Sequence, residues 1–233
     1  MNKDYLRVNF DKYNIKYDKS RIDGVLDFMK VTLATNELFN LTAITNEDEF
    51  LEKMILDSAL VLSGNDLSNK TVIDVGTGAG YPGMVLKILN PTIDIHLLDS
   101  TRKKVDFIQK YADNHDVKIS THALRAEMFS RMYPEFFDIA LARAVASLPV
   151  LLEIIAPMIK VGGEFIAMKG PSFDLEIAQS KNALDKLGME VTNIELFELP
   201  NCHEQRALIH IKKNKPTNKK YPRPYKDIKA KTL

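Results

Sequence analysis

Apolar residues recur at helical spacing through the first quarter of the chain. Ile22, Val25, Leu26, Met29 and Leu33 fall on one helix face, and Ser20 with Asp23 has the form of a capping box. A second helix is predicted from Asn46, with Glu49 three residues on and Phe50/Leu51, Met54/Ile55, Ser58 and Val61/Leu62 on one stripe. The short polar stretch Asn40-Leu41-Thr42 joins the two. Beyond Lys70 the period changes to short β-branched runs. Strands are predicted at 71–75, 93–99, 117–123, 137–142, 164–169, 190–199 and 206–212. Helices are predicted at 82–89, 101–114, 148–158 and 174–187, the last closed by Gly188.

Strand–helix alternation of this kind predicts an α/β fold built on a doubly wound, mostly parallel sheet, with ligand at the C-terminal ends of its strands. No helix separates the last two strands, so they are predicted to pair antiparallel. The chain reads as a single domain in three parts: a helical extension (1–66), an α/β core (67–211) and a tail (212–233).

Composition narrows the class. At 233 residues, 45% hydrophobic and 27% charged, the chain can bury a full core without staples. A single cysteine, Cys202, excludes a disulfide framework and a Cys-rich zinc site. Histidines 96, 115, 122, 203 and 210 show no metal-ligand spacing, so no metal is expected. No apolar run approaches a membrane span, and the first residues, Met-Asn-Lys-Asp-Tyr, carry no apolar h-region. A cytoplasmic protein is therefore expected.

Charge is balanced at +1 overall but unevenly placed. Residues 212–233 hold nine bases and one acid, so the tail is +8 and the remainder, with 23 bases and 30 acids, is −7. Such a tail either solvates the protein as a disordered extension or reaches a polyanion. The interruption Lys220-Tyr221-Pro222-Arg223-Pro224-Tyr225 favours the second, because aromatic and Arg planes stack on unpaired bases.

The stretch from Val72 to Gly83, with glycines at 76, 78, 80 and 83, carries the most chemistry. Glycines straight after a strand permit a tight turn and a close approach of backbone to ligand. Gly78, Gly80 and Gly83 even satisfy the dinucleotide fingerprint. Asp74 argues against a dinucleotide, since it would face a pyrophosphate, and like charges about 4 Å apart cost several kcal/mol at an effective dielectric near 20. S-adenosylmethionine has no phosphate and carries an ammonium and a sulfonium, so a carboxylate there helps. Asp74 as a cap for the turn is the other reading, but it leaves the glycine cluster unexplained. Asp99, at the end of the second strand and 23 residues after Gly76, suits the ribose hydroxyls of any adenosine ligand, or the cap of the next helix.

Other basic residues have two readings each. Arg143, ending the fourth strand, could bind a cofactor carboxylate bidentately or pair with Asp138 or Glu127. Lys169, ending the fifth strand, could contact RNA phosphate, as could Arg125 and Arg206. Arg102, Lys103 and Lys104 could simply extend into water.

Asn40-Leu41-Thr42, Asp57-Ser58, the Asp74–Gly83 loop, Leu98-Asp99-Ser100, Lys103-Lys104, Arg125-Ala126-Glu127, Ala142-Arg143-Ala144, Lys169-Gly170 and Tyr221-Pro222-Arg223 occur in that order. Over essentially the whole chain this resembles the ribosomal small subunit methyltransferase G family, also called glucose-inhibited division protein B. The resemblance implies a Rossmann-like, S-adenosylmethionine-dependent methyltransferase acting on N7 of a guanine in the 530 loop of 16S rRNA, with 16S rRNA or the small ribosomal subunit as partner. It implies that Gly76 and Tyr81 line the methionine and adenosyl site and that Asp99 and the residues after it hold the ribose; the glycine-loop reading adds Asp74 and Gly78 as cofactor-binding candidates. Ala126 and Glu127 should border the adenine, and Arg143 should lie against the cofactor. Lys169, Arg206, Lys219, Lys220 and Arg223 are the RNA-contact candidates. Tyr81 stands where Phe or Leu is common, and Pro224 where a basic residue is usual.

The residues themselves fit ring-nitrogen chemistry. Guanine N7 offers an in-plane lone pair and needs no deprotonation, so alignment supplies most of the catalysis. C5 methylation normally needs a Cys nucleophile, and Cys202 lies away from the sheet's binding end. The exocyclic-amine motif, Asn/Asp-Pro-Pro-aromatic, is replaced by Leu141-Ala-Arg143-Ala. A methyltransferase for another RNA or a small molecule, an NAD-dependent dehydrogenase, and a non-catalytic RNA-binding protein remain the competing expectations.

Overall fold

A computed structural model of the chain describes residues 2–143 and 145–233, so Ala144 of the Ala142-Arg143-Ala144 motif lies outside the described residues. The helical part comprises α1 (Asn2–Lys12), α2 (Ile22–Asn36) and α3 (Glu47–Phe50). The last runs through a π-helical stretch (Leu51–Leu56) into α4 (Asp57–Ala59). Asn46 caps this run as its spacing predicts, accepting from the Glu49 N–H at 2.9 Å. The expected Ser20–Asp23 box does not form. The chain enters α2 through a 3₁₀ turn that Asp18 caps on Ser20 N–H, and Asp23 instead pairs with Lys3 at 2.7 Å.

The core runs β1 (Thr71–Val75), α5 (Gly83–Leu89), β2 (Asp94–Asp99), α6 (Arg102–Asn114), β3 (Ser120–Ala123), α7 (Ala126–Met132), β4 (Phe137–Arg143) and α8 (Leu148–Ile155). It continues through β5 (Ile159–Lys169), α9 (Phe173–Gln179), α10 (Lys181–Leu187), β6 (Met189–Glu198), β7 (Gln205–Lys213) and α11 (Tyr225–Ala230). The seven strands lie in the order β3-β2-β1-β4-β5-β7-β6, with β7 antiparallel to both β5 and β6. The expected Rossmann-like fold is the observed one. Chain order reverses between β1 and β4, which places the ligand crevice outside the C-terminal ends of those two strands.

Period-two alternation sorts the sheet into two cores. Val72, Ile139, Leu141, Ile166 and Met168 pack toward α1–α6, while Ile73, Ala140, Ala142, Phe165 and Ala167 pack toward α7, α8 and α10. The predicted helix at 174–187 is broken at Ser180, whose hydroxyl donates to the Glu176 carbonyl at 2.7 Å. The tail is not an extended solvated arm. Tyr221 and Ile228 are buried in the second core, and α11 packs against α8.

Candidate functional site: two clefts that meet at Arg143

A cleft of about 300 Å³ opens at the C-terminal ends of β1, β2 and β4. Gly76, Gly78, Asp99, Ala126, Glu127 and Arg143 all line it, so most of the residues expected at a cofactor site converge there. The turn after β1 can be this tight only because Gly76 and Gly78 adopt φ of +76° and +60°. A Cβ on Gly76 would lie 2.4 Å from Val145 Cγ2, whereas one on Gly78 meets nothing within 4 Å. Asp99 supports the loop from below: Oδ2 accepts the Gly78 N–H at 3.0 Å and Oδ1 accepts the Thr101 N–H at 2.8 Å. Asp99 lines the cleft and braces the turn on either side of it, but it does not cap α6, whose N-cap is Thr101.

Two expected residues sit behind the loop rather than on the cleft. Asp74 is buried, and its Oδ2 accepts from Thr77 Oγ1 at 2.7 Å and from the Gly83 N–H at 2.8 Å, the capping role. Its Oδ1 has no partner. Burial pushes the carboxyl up to about 6, with the bonds from Thr77 and Gly83 opposing. Tyr81 points into the first core, stacked on Phe28 and edge-on to Phe50, with its hydroxyl 3.0 Å from Thr32 Oγ1. Its place beside the glycines in sequence puts it on the opposite side of the turn in space. Tyr81 is a packing residue here, not a lining one.

A second cleft, about 660 Å³, adjoins the first and shares Arg143, Val145 and Ala146 with it. Remote segments build it: Ile44, Lys53, Met54 and Asp57 from the helical part, Lys169 and Glu176 from the β5–α9 region, and Arg206 from β7. Its charges are mutually satisfied. Asp57 Oδ2 lies 3.3 Å from both Arg143 Nη1 and Arg206 Nε, and Arg206 also pairs with Glu204 at 2.8 Å. Lys53 pairs with Glu49 at 3.1 Å and Glu204 at 2.6 Å. Arg143 further donates to the Lys53 carbonyl at 3.0 Å, so its partner is neither Asp138 nor Glu127. Those acids are held by Lys160 and Arg125.

Three RNA-contact candidates are likewise engaged internally. Lys169 is buried, its ammonium donating to Glu176 and to the Ala146 carbonyl, both at 2.8 Å. It fastens the loop after β4 instead of meeting solvent phosphate. Arg206 faces the second cleft and is paired there with Asp57 and Glu204. Arg223 grips Glu153 with its side chain at 2.8 and 2.6 Å. Lys219 and Lys220 are exposed, with Lys220 Nζ 5.1 Å from the Tyr221 ring. Sequence reasoning missed Val145, Ala146, Glu176 and Tyr225. For Asp57 a signal existed, since Asp57-Ser58 is one of the matching motifs. Among the described residues no cluster could hold a metal ion, and no helix is long and apolar enough to cross a membrane.

A family model described as GidB, rRNA small subunit methyltransferase G, matches residues 21–209. The ribosomal RNA small subunit methyltransferase G of Carboxydothermus hydrogenoformans is 37% identical over 221 residues, 94% of each chain. That of Acetivibrio thermocellus is 42% identical over 214 residues, 91% of this chain and 88% of the other. Among solved structures, the YcgJ protein from Bacillus subtilis aligns with a TM-score of 0.55 at 13% identity, over 68% of this chain and 99% of that one. M. jannaschii TYW2 in complex with AdoMet aligns with a TM-score of 0.53 at 11% identity, over 63% of this chain and 70% of that one. At such identities these two share the fold alone.

Proposed function

The chain belongs to the rRNA small subunit methyltransferase G family, and from that premise we propose that it methylates N7 of a guanine in the 530 loop of 16S rRNA with S-adenosylmethionine as donor. The adjacency of the two clefts carries this reading. A donor in the smaller cleft and a base in the larger one would meet at the shared wall of Arg143, Val145 and Ala146.

The residues present fit the donor. Open space off Gly78 leaves room against the backbone, Asp99 keeps lone pairs for ribose hydroxyls, and the unpartnered Asp74 Oδ1 supplies negative potential under the loop. When bound, S-adenosylmethionine supplies an electrophilic methyl group on a sulfonium. Gly76 and Gly78 would admit its methionine and sugar, and Ala126 and Glu127 would border its adenine. Arg143, whose five N–H donors are only partly used, sets the boundary with the acceptor. The chain needs no general base, because N7 is nucleophilic without losing a proton. Its work is alignment and exclusion of water, and orientation of this kind supplies roughly 7–11 kcal/mol.

The larger cleft suits a neutral purine better than a phosphate. Its cations already have acids, so a base would exchange hydrogen bonds with a charge-balanced rim and contribute no excess anion. Phosphate contact falls to the exposed Lys219 and Lys220. The helical part (1–66), the core (67–211) and the tail (212–233) act as one catalytic unit, since Lys53, Met54 and Asp57 reach the second cleft and Tyr225 reaches the first. The site of action is the cytoplasm, on 16S rRNA or the small subunit. Label from S-adenosylmethionine transferred to rRNA lacking the modification should be recovered as N7-methylguanine in the 530 loop. Label on another atom, or none, overturns the reading.

A further inference from the structure

We infer that Tyr225 is a cofactor-binding residue, walling the adenine side of the smaller cleft, and that Arg223 is the latch holding it there. The inference rests on the cofactor reading above. Both residues lie beyond residue 209, where the match to the family model ends, although Arg223 belongs to the Tyr221-Pro222-Arg223 motif of the resemblance.

Tyr225 lines the cleft together with Ala126, Glu127, Leu151 and Ile154. Two cations lie over its ring: the Arg125 guanidinium carbon 4.4 Å from the centroid and Lys229 Nζ 5.8 Å from it, and Arg125 Nε pairs with Glu127 at 3.1 Å. The ring is thus tied to residues that border the adenine. Adenine is flat and aromatic, and a cleft wall of aliphatic side chains plus one phenol ring matches it in shape and polarity.

The latch is a buried ion pair. Glu153 sits fully buried on α8, the helix that also supplies Leu151 and Ile154 to the cleft. Its Oε1 accepts the Arg223 backbone N–H and Nε at 2.9 and 2.8 Å, and its Oε2 accepts Nη2 at 2.6 Å. A carboxylate at that depth demands a cation, and the tail provides it. Arg131 adds a bond to the Pro222 carbonyl at 2.6 Å, and Ile228 is buried one turn past Tyr225. Arg223 therefore positions Tyr225 without touching the cofactor itself.

Calorimetry of S-adenosylmethionine binding to the full chain, paired with melting temperatures, tests this. Tyr225→Ala should raise Kd about tenfold, the scale of losing one base–aromatic stack. Tyr225→Phe should stay within about twofold, because the ring acts and not the hydroxyl. Replacing Glu153 and Arg223 together by Met removes the latch without stranding a charge, and should raise Kd to a similar extent. Adding Tyr225→Ala to that double variant should then change little, since both routes remove one wall. If Tyr225→Ala unfolds the chain, Tyr225→Leu keeps the bulk and gives the same comparison. Wild-type Kd in Tyr225→Ala and Tyr225→Leu, or full additivity of Tyr225→Ala with the latch variant, overturns the inference alone. Failure of the wild-type chain to bind S-adenosylmethionine overturns the cofactor reading and this inference with it.

Discussion

The two clefts that meet at Arg143 are built on different principles. The smaller is organised by a local turn: glycines at positive φ after β1, Asp99 bracing the loop from beneath, and Leu151, Ile154 and Tyr225 closing the far side. The larger is a lattice of side chains from segments more than a hundred residues apart, in which Asp57 is shared by two arginines and Lys169 by a carboxylate and a carbonyl. A glycine turn fails most sharply where a Cβ is added to a glycine held at positive φ. A charge lattice spreads the damage, because removing one member leaves its partner buried and unpaired. Donor binding and acceptor binding should therefore separate cleanly under mutation.

Gly76→Val should break the smaller cleft outright. Its Cβ would lie 2.4 Å from Val145 at a φ of +76°, so clash and strain act together. Calorimetry should find S-adenosylmethionine affinity lowered by about a hundredfold or more, and retention of binding would contradict a site organised by this turn. Arg206→Ala should do the converse. It leaves the buried Asp57 with Arg143 alone, so turnover on rRNA should fall at least about tenfold while cofactor Kd moves less than about threefold. A parallel rise in Kd would merge the two clefts into one functional unit.

The smallest effect concerns pH. Asp74 titrates near 6 against an ordinary value of 3.8, because burial disfavours its charge. The raised value means the carboxylate costs stability once ionised, so this group's contribution declines as pH rises from about 4 to about 6. A cationic donor above the loop favours the ionised form. Binding of S-adenosylmethionine should therefore weaken a few-fold between pH 7 and pH 5, and Asp74→Asn should flatten that profile. A pH-independent Kd in the wild-type chain would remove Asp74 from the donor's electrostatics.

The smaller cleft was largely readable in advance, and the larger one was not. Gly76, Gly78 and Asp99 belong to strand ends and the turns that follow them, so local spacing with a known fold class places them, whereas Ala126 and Glu127 follow only from the family resemblance. Asn46 as a helix cap was equally local. Tyr81 misled because adjacency to a glycine loop does not say which side of a sharp turn a side chain takes. Packing on Phe28 and Phe50 decided that. For the RNA-contact candidates Lys169, Arg206 and Arg223 the fold supplies an acid to each: Glu176 seven residues on for Lys169, and Asp57 and Glu153 from remote segments for Arg206 and Arg223.

What the sequence determined by itself was the order of elements, the sheet's alternating faces and the glycine turn, since these follow from steric and periodic rules acting over a few residues. What the tertiary structure alone decided was which charges neutralise one another and where the tail lies. Desolvation makes an unpaired buried ion costly, so the fold brings remote opposite charges together, and no short-range pattern records which pairs those will be.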